Sequence, residues 1–189
     1  CHFTAIRHDT NSLNLAKVRV QCNEIQPDRM LRVDRHGNRQ VGGYIIVGLR
    51  DGDLNPFLES AMFCVWDATP VAAPDVLKTG VTPKYFSIED AANDIAQYRL
   101  FTGMAVSSLA ISIAPNQMVT ATFSMVGKSM TISGTGKTVT ATSGAQPFDA
   151  YSGDLSIGNV ASASSVAIVT SIDFTIDNAL SPTFVIGDD

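Results

Sequence analysis

Apolar and polar residues alternate along the second half of the chain with a period of two, which is the period of a β-strand. From residue 101 onward, 25 of the 89 residues are Ser or Thr. The clearest case is a pair of alternating segments, 108–113 and 119–125, separated by a turn at Pro115 and Asn116. This pattern predicts a β-hairpin with one buried face and one face rich in hydroxyl groups.

Shorter alternating segments predict further strands on both sides of this hairpin. Residues 172–177 predict a late strand, a turn follows at 178–182, and a last short strand is expected at 184–186. Earlier strands are expected at 18–22, 44–49, 85–88 and 98–101.

One segment has the pattern of a helix instead. Asn55 is a suitable cap, Pro56 fits the first helical position, and apolar residues then recur at helical spacing. We therefore expect a short amphipathic helix at 55–65, while 89–97 is either a second helix or a loop between strands. The fold class expected is mainly β: a largely antiparallel sheet, arranged as a sandwich or a rolled barrel, with one short flanking α-helix.

Composition narrows the class of protein. The chain has 189 residues, of which 45% are hydrophobic and only 16% are charged, against roughly 25% charged in an ordinary soluble domain. We expect one domain, 1–189, and no membrane span, because no stretch approaches about 20 continuous apolar residues. The low charge suggests a surface covered by other copies of the chain. Because the first residue is Cys, we also expect the N-terminus to be incomplete.

Charge is segregated along the chain. Residues 1–50 hold eight basic and four acidic residues, so the remainder carries a net charge of −9 out of a total of −5. Two electrically unlike surfaces would favour head-to-tail association of copies. The alternative is a chance distribution on a solvated surface.

No group of residues in the sequence supports catalysis, a metal site or a bound cofactor. The segment 132–138, ISGTGKT, ends like a phosphate-binding loop, but it lacks the first glycine and a following helix. Asp51, Asp53 and Asn55 have the opening spacing of a calcium loop, yet Pro56 occupies the glycine position. We therefore expect a protein that is not an enzyme and has no cofactor.

The most unusual segment is a predicted long loop at 26–42, which is rich in arginine. Its arginines are Arg29, Arg32, Arg35 and Arg39, interleaved with apolar residues, and Asp34 lies among them. Arginine pairs with carboxylates in a bidentate manner at interfaces, and the acidic remainder of a neighbouring copy would supply those carboxylates. The alternative is binding of nucleic acid, against which stand the acidic pI near 5.0 and the lack of aromatic residues within the segment.

Several segments together resemble the tail tube proteins of long-tailed bacteriophages. The first is NEIQPDRMLRVDRHGNRQVGGYIIVGLRDGDLNPFLESAMF from Asn23, and the others are KYFSIEDAANDIAQYRLFTGMAVSSLAISIAPNQMVTATFSMVGK, AQPFDAYSG and SIDFTIDNALSPTFVIGD. They cover most of the chain from about residue 23 to 188, in the order and spacing of the family. One departure is visible: the chain has Val47, Gly48 and Leu49 where the family commonly has F-E-L.

The resemblance implies a virion protein, assembled in the host bacterial cytoplasm, whose hexameric rings stack into a tube that conducts phage DNA during ejection. Its partners would be copies of itself, the tape measure protein, the tail terminator and the distal tail proteins, with DNA passing without sequence-specific binding and no membrane involved. Candidate contacts between rings are Arg29, Arg32, Asp34, Arg35 and Arg39, and candidate acids facing the lumen are Asp149, Asp154, Asp173 and Asp177. The alternatives are a distal tail or baseplate ring protein, or a secretion-system inner tube protein, of the same architecture.

Overall fold

The chain forms a curled, mostly antiparallel β structure with one helix, so the predicted fold class is confirmed. The computed structural model describes residues 3–22, 24, 27, 34–67, 76–151, 156–157, 164–165 and 169–184. Within these residues the elements are β1 (Phe3–Thr4), β2 (Thr10–Asn11), β3 (Asn14–Val20), β4 (Arg35–Gly48), α1 (Asn55–Met62), β5 (Phe86–Ala92), β6 (Gln97–Ile113), β7 (Thr120–Gly127), β8 (Ser129–Ser133), β9 (Val139–Thr140), β10 (Ser156–Ile157), β11 (Ser164–Ser165) and β12 (Ile172–Asp177).

Strand β6 organises the fold because it takes part in two sheets. Its second half pairs with β7 on one side and β12 on the other, and β4 pairs with the far side of β7. Its first half pairs with β5 and β8. The register against β7 shifts between Val106 and Ser108, and an extra residue of this kind bends a strand and increases its twist. Both β2 and β3 pair with β4, and the resulting sheet is strongly curled, like half of a barrel.

The core lies between one face of the large sheet and α1. Phe57 of α1 contacts Phe86 and Phe123, with ring centroids 4.9 and 5.2 Å apart. Alternate residues of the central strands are buried against it, as expected for strands with one covered face. The buried sheet residues are Val41, Ile45 and Val47 of β4, Phe101, Met104, Val106 and Leu109 of β6, and Ala121, Phe123 and Met125 of β7.

Two polar side chains attach the helix to the sheet. Ser60 is fully buried, and its Oγ accepts a hydrogen bond from the Val106 N–H (3.0 Å) and donates one to the Lys84 carbonyl (2.9 Å). Asn178 donates from Nδ2 to the carbonyls of Ala61 (2.9 Å) and Val106 (3.1 Å). Each bond satisfies a backbone group that would otherwise lie unpaired near the core.

The predicted hairpin is confirmed as β6 and β7, joined by a turn in which Asn116 has a positive φ of 58°. The late strand is confirmed as β12. The uncertain segment 89–97 contains the end of β5, a turn and the first residue of β6, so it is not a helix. The last short strand expected at 184–186 extends beyond the described residues.

Two predicted boundaries are wrong. The helix ends at Met62 and not at residue 65, because Phe63 adopts a left-handed conformation (φ 53°) and the Cys64 N–H closes the end on the Glu59 carbonyl. Asn55 does not cap it, since Leu54 holds that position without a side-chain hydrogen bond. The predicted loop 26–42 is also too long: β4 begins at Arg35 because residues 35–42 pair with β3 in an antiparallel ladder.

Candidate assembly surfaces

The outer parts of β3 and β4 form a two-stranded arm that extends beyond the core. We call residues 16–20 and 35–40 the β3–β4 arm. Burial ends at Leu15 and Val41, which are paired with each other, and beyond this pair nearly every residue on both strands is exposed. Val18 and Val20 are 58% and 52% exposed, although β-branched residues favour a covered sheet surface. An isolated two-stranded ribbon is marginally stable in water, so the arm has the properties of a surface that another chain would cover.

The arm is strongly basic. The register places Lys17 directly opposite Arg39, and Arg19 opposite His36, while Arg35 lies opposite Val20. Like charges at directly opposed positions repel each other. Residues 16–20 and 35–40 contain four Lys or Arg residues and no Asp or Glu. Arg19 forms an ion pair with Asp34, and the exposed Lys17, Arg35 and Arg39 leave the arm with a basic surface suited to anions.

The candidate contacts between rings are only partly within the described structure. Arg35 and Arg39 lie on the arm and are exposed, whereas Arg29 and Arg32 lie outside the described residues. Asp34 forms an ion pair with Arg19 in the same chain. Lys17 and Arg19 belong to the same basic surface and were not among the candidates, although their alternation with Ala16, Val18 and Val20 already marked them as outward-facing.

The face of the large sheet opposite the core carries hydroxyl groups and two carboxylates. We call this surface the hydroxyl face. The register aligns Ser108 with Ser124 and Asp177, and Ser112 with Thr120 and Asp173. No Lys or Arg occurs among its residues, which are Tyr44 and Ile46 of β4, Ser108, Ala110 and Ser112 of β6, Thr120, Thr122 and Ser124 of β7, and Asp173, Thr175 and Asp177 of β12.

Two of the four candidate lumen acids lie on this face. Asp173 and Asp177 are exposed, and Asp173 accepts a hydrogen bond from the Ser112 hydroxyl (2.8 Å). Asp149 lies beyond the start of β7, where it forms an isolated bridge with Met118 and accepts from the Tyr151 N–H (3.0 Å). Asp154 lies outside the described residues. The structure therefore brings together Asp173 and Asp177, which are four residues apart on one edge strand.

The two edges of the large sheet are open within the described residues. Strand β12 pairs with β6 on one side only, and β3 pairs only with β4. Phe174 of β12 is 51% exposed on the face that elsewhere packs against the core. Open strand edges present unpaired N–H and C=O groups that another strand can use.

The two sequence motifs that suggested chemistry do not form sites in the described structure. The segment 132–138 runs from β8 through a bend to β9, with no helix, so it cannot form a phosphate-binding loop. Asp53 is buried, and its Oδ1 accepts from the Ser143 N–H (2.8 Å). Among the described residues no three His, Cys, Asp or Glu side chains are grouped to hold a metal ion.

The described residues thus form a β-rich protein, with a curled antiparallel sheet and one flanking helix. The chain belongs to the phage tail tube protein family, whose model matches residues 4–189. It is therefore a structural component of a phage tail, and its location is the virion. Membership of this structural family argues against an enzymatic role. No helix among the described residues has the length and apolar character needed to cross a membrane. No curated protein matches the chain.

Proposed function

We propose that the chain is the subunit of the tail tube itself, forming hexameric rings that stack into the conduit for DNA ejection. The observation that carries this proposal is the hydroxyl face: a curved, uncovered sheet surface with two carboxylates and no cation. Phosphates bind to Lys and Arg, and DNA affinity rises with the number of such contacts. A surface that lacks them lets DNA pass without being held, so this face suits the lumen, with Asp173 and Asp177 exposed to the DNA.

The open edges of the large sheet supply the contacts within a ring. In our proposal the edge at β12 of one copy joins the edge at β2 of the next, so closure of the ring covers these two edges and leaves the arm free for the adjacent ring. We further propose that the tube is built in the host cytoplasm around the tape measure protein and ends at the terminator and distal tail proteins.

The β3–β4 arm supplies the contacts between rings. Strand β4 has the basic arm at its N-terminal end, while the exposed acids Asp9, Asp51 and Asp149 lie near its C-terminal end. Asp9 donates its N–H to the Ile46 carbonyl, and Asp51 follows the strand directly. Opposite charges at opposite ends of one strand favour head-to-tail stacking, in which Arg35 and Arg39 pair with acids of the adjacent ring.

Electron microscopy of the purified chain tests the proposal. We expect long hollow polymers with six-fold symmetry in end views. Isolated rings that never stack would favour a distal tail or baseplate ring protein instead. A chain that stays monomeric at every concentration and salt tested would contradict both.

A pair of charge reversals tests the role of the arm. Arg35→Glu with Arg39→Glu should leave a folded protein that forms rings but no stacked polymer, because the edges are unchanged while the arm is repelled by the next ring. Lys78→Glu with Lys137→Glu is the matched control: both residues are exposed, lie outside the arm and change the net charge equally. Normal stacking of the arm variant would refute the role of the arm.

A further inference from the structure

A cleft of about 300 Å³ opens at the end of β4 that is opposite the arm. The walls combine apolar side chains with three that carry hydrogen-bond donors, Arg50, Asn55 and Trp66. One wall is fixed to the sheet, because the Leu49 N–H donates to the Val119 carbonyl and the Phe148 N–H donates to the Leu49 carbonyl, both at 2.8 Å. The cleft is lined by Leu49, Arg50, Asn55, Leu58, Trp66 and Phe148, with Asp51 at its exposed rim.

Arg50 is the unusual residue of this cleft. Its side chain is only 8% exposed, and its Nε donates to the Gly48 carbonyl at 3.3 Å. Its Nη1 is buried and has no hydrogen-bond partner within the part of the chain that the structure describes. No described carboxylate lies within ion-pair distance of the guanidinium, since the ion pairs of these residues join Arg19 to Asp34 and Arg99 to Asp90.

Trp66 presents a second buried donor without a partner in the described chain, its Nε1–H. Asp53 Oδ2 is a buried acceptor nearby that has no partner in the described chain, but the Asp53 side chain does not line the cleft. The cleft therefore has two unsatisfied donors, one of them cationic, and no unsatisfied buried acceptor of its own.

Arg50 is held in place before any ligand arrives. The Nη2 of Arg50 and the ring of Pro147 both lie beside Gly48. A Cβ added to Gly48 would be 3.6 Å from Nη2 and 3.2 Å from Pro147. A guanidinium stays charged at any physiological pH, and burial of that charge without a counter-charge is unfavourable. A carboxylate that reached the guanidinium would supply the missing counter-charge.

We propose that this cleft receives the carboxylate side chain of an Asp or Glu from a second copy of this chain. The guanidinium and the indole N–H would donate to its oxygens, and the apolar walls would contact its methylene groups. The inference rests on the proposed function, since a tube subunit has neighbouring copies at each end. The chain has 18 acidic against 13 basic residues, so it offers the required partner. The exposed Asp51 carboxylate opposes this binding weakly, because water and salt screen its charge.

Assembly assays test the role of Arg50. Arg50→Met keeps the bulk of the side chain and removes the charge, and we expect it to raise the protein concentration needed for polymer formation by about tenfold or more. The melting temperature of the monomer should be unchanged or higher, because an unpaired buried charge is lost. Trp66→Phe should give a smaller loss. Lys78→Met is the control: it also removes one positive charge, but from an exposed site outside the cleft and the arm, so it should assemble like the unmodified chain.

Cross-linking identifies the partner directly. Unlabelled chains carrying R50K are co-assembled with a large excess of ¹⁵N-labelled unmodified chains and treated with a carbodiimide, which condenses an amine with a carboxylate in contact. We expect an amide between position 50 and an Asp or Glu of a ¹⁵N chain, seen as a mixed-isotope peptide in polymers and absent from monomers. Bonds only to acids of the same chain would overturn the proposal.

Two assembly results distinguish the cleft proposal from the tube proposal. Polymers from the unmodified chain together with normal assembly of Arg50→Met would refute the cleft proposal alone. Failure of the unmodified chain to form any polymer or ring would refute the tube proposal, and the cleft proposal with it.

Discussion

Replacing Arg39 by Glu should stabilise the isolated subunit and prevent stacking at the same time. The residue lies directly opposite Lys17 in the ladder between β3 and β4, and both side chains are exposed. Opposed cross-strand charges contribute roughly 0.2–1 kcal/mol, favourable for unlike charges and unfavourable for like charges. The substitution converts repulsion into attraction, so we expect the free energy of unfolding to rise by about 0.5–1 kcal/mol at low salt. For a chain of this size that corresponds to roughly 1–4 °C in melting temperature.

Thermal unfolding of the monomer, followed by circular dichroism at about 0.02 M and 1 M salt, measures this gain. The gain should be largest at low salt, because the Debye length falls to about 3 Å at 1 M. Sedimentation of the same samples measures stacking, which we expect to be lost. Adding Lys17→Glu restores a like-charge pair, so the double variant should return to the original stability while remaining unable to stack. A lower melting temperature for Arg39→Glu at low salt would refute the cross-strand argument, and normal stacking would refute the role of the arm.

Three further substitutions test the fold and the hydroxyl face. Ser60→Ala leaves the Val106 N–H and the Lys84 carbonyl without their partner, so urea denaturation should show a free energy of unfolding lower by about 1–3 kcal/mol. The exposed Ser129→Ala is the control and should lower it by less than about 0.5 kcal/mol. Equal effects of the two substitutions would contradict the attachment of the helix through Ser60. Gly43 has a φ of 148°, and Gly43→Ala introduces a Cβ 2.6 Å from the Ser12 carbonyl oxygen. We expect this substitution to lower the free energy of unfolding by at least about 2 kcal/mol. Gly134→Ala, whose Cβ would have no atom within 4 Å, should lower it by less than about 1 kcal/mol. Ala110→Lys places a cation on the hydroxyl face, so tubes of this variant should form normally and retain DNA in co-sedimentation at low salt. Tubes of the control variant Ala110→Glu should not retain DNA. Equal retention by the two variants would contradict the assignment of this face to the lumen.

The sequence predicts those parts of the fold where one face of a strand is buried and the other is not. The hairpin of β6 and β7 follows from this contrast, because Leu109, Phe123 and their neighbours alternate with hydroxyl residues. The arm gives no such contrast, since Val18 and Val20 are as exposed as Lys17 and Arg19. Residues 35–42 therefore resemble a loop in sequence, although backbone pairing with β3 makes them a strand.

The helix end and the assembly surfaces depend on information that local patterns do not contain. The left-handed conformation of Phe63 ends α1 at Met62, three residues before the last apolar position at helical spacing, Val65. The cleft joins residues from positions 49–66 with Phe148, and the distance between these segments in sequence hides it. That Arg50 forms no ion pair with a described carboxylate appears only when the three-dimensional structure shows which acids lie near it.

Strand β4 has a mechanical consequence for a stacked tube. The basic arm is at one end of this fourteen-residue strand and the Arg50 cleft is at the other, so tension between neighbouring rings would pull along the strand axis. The hydrogen bonds to β3 and β7 lie across that axis. They would be loaded together in shear, and would not open one after another like a zipper. A tube joined in this way could flex while resisting rupture, because its weakest bonds would share the load.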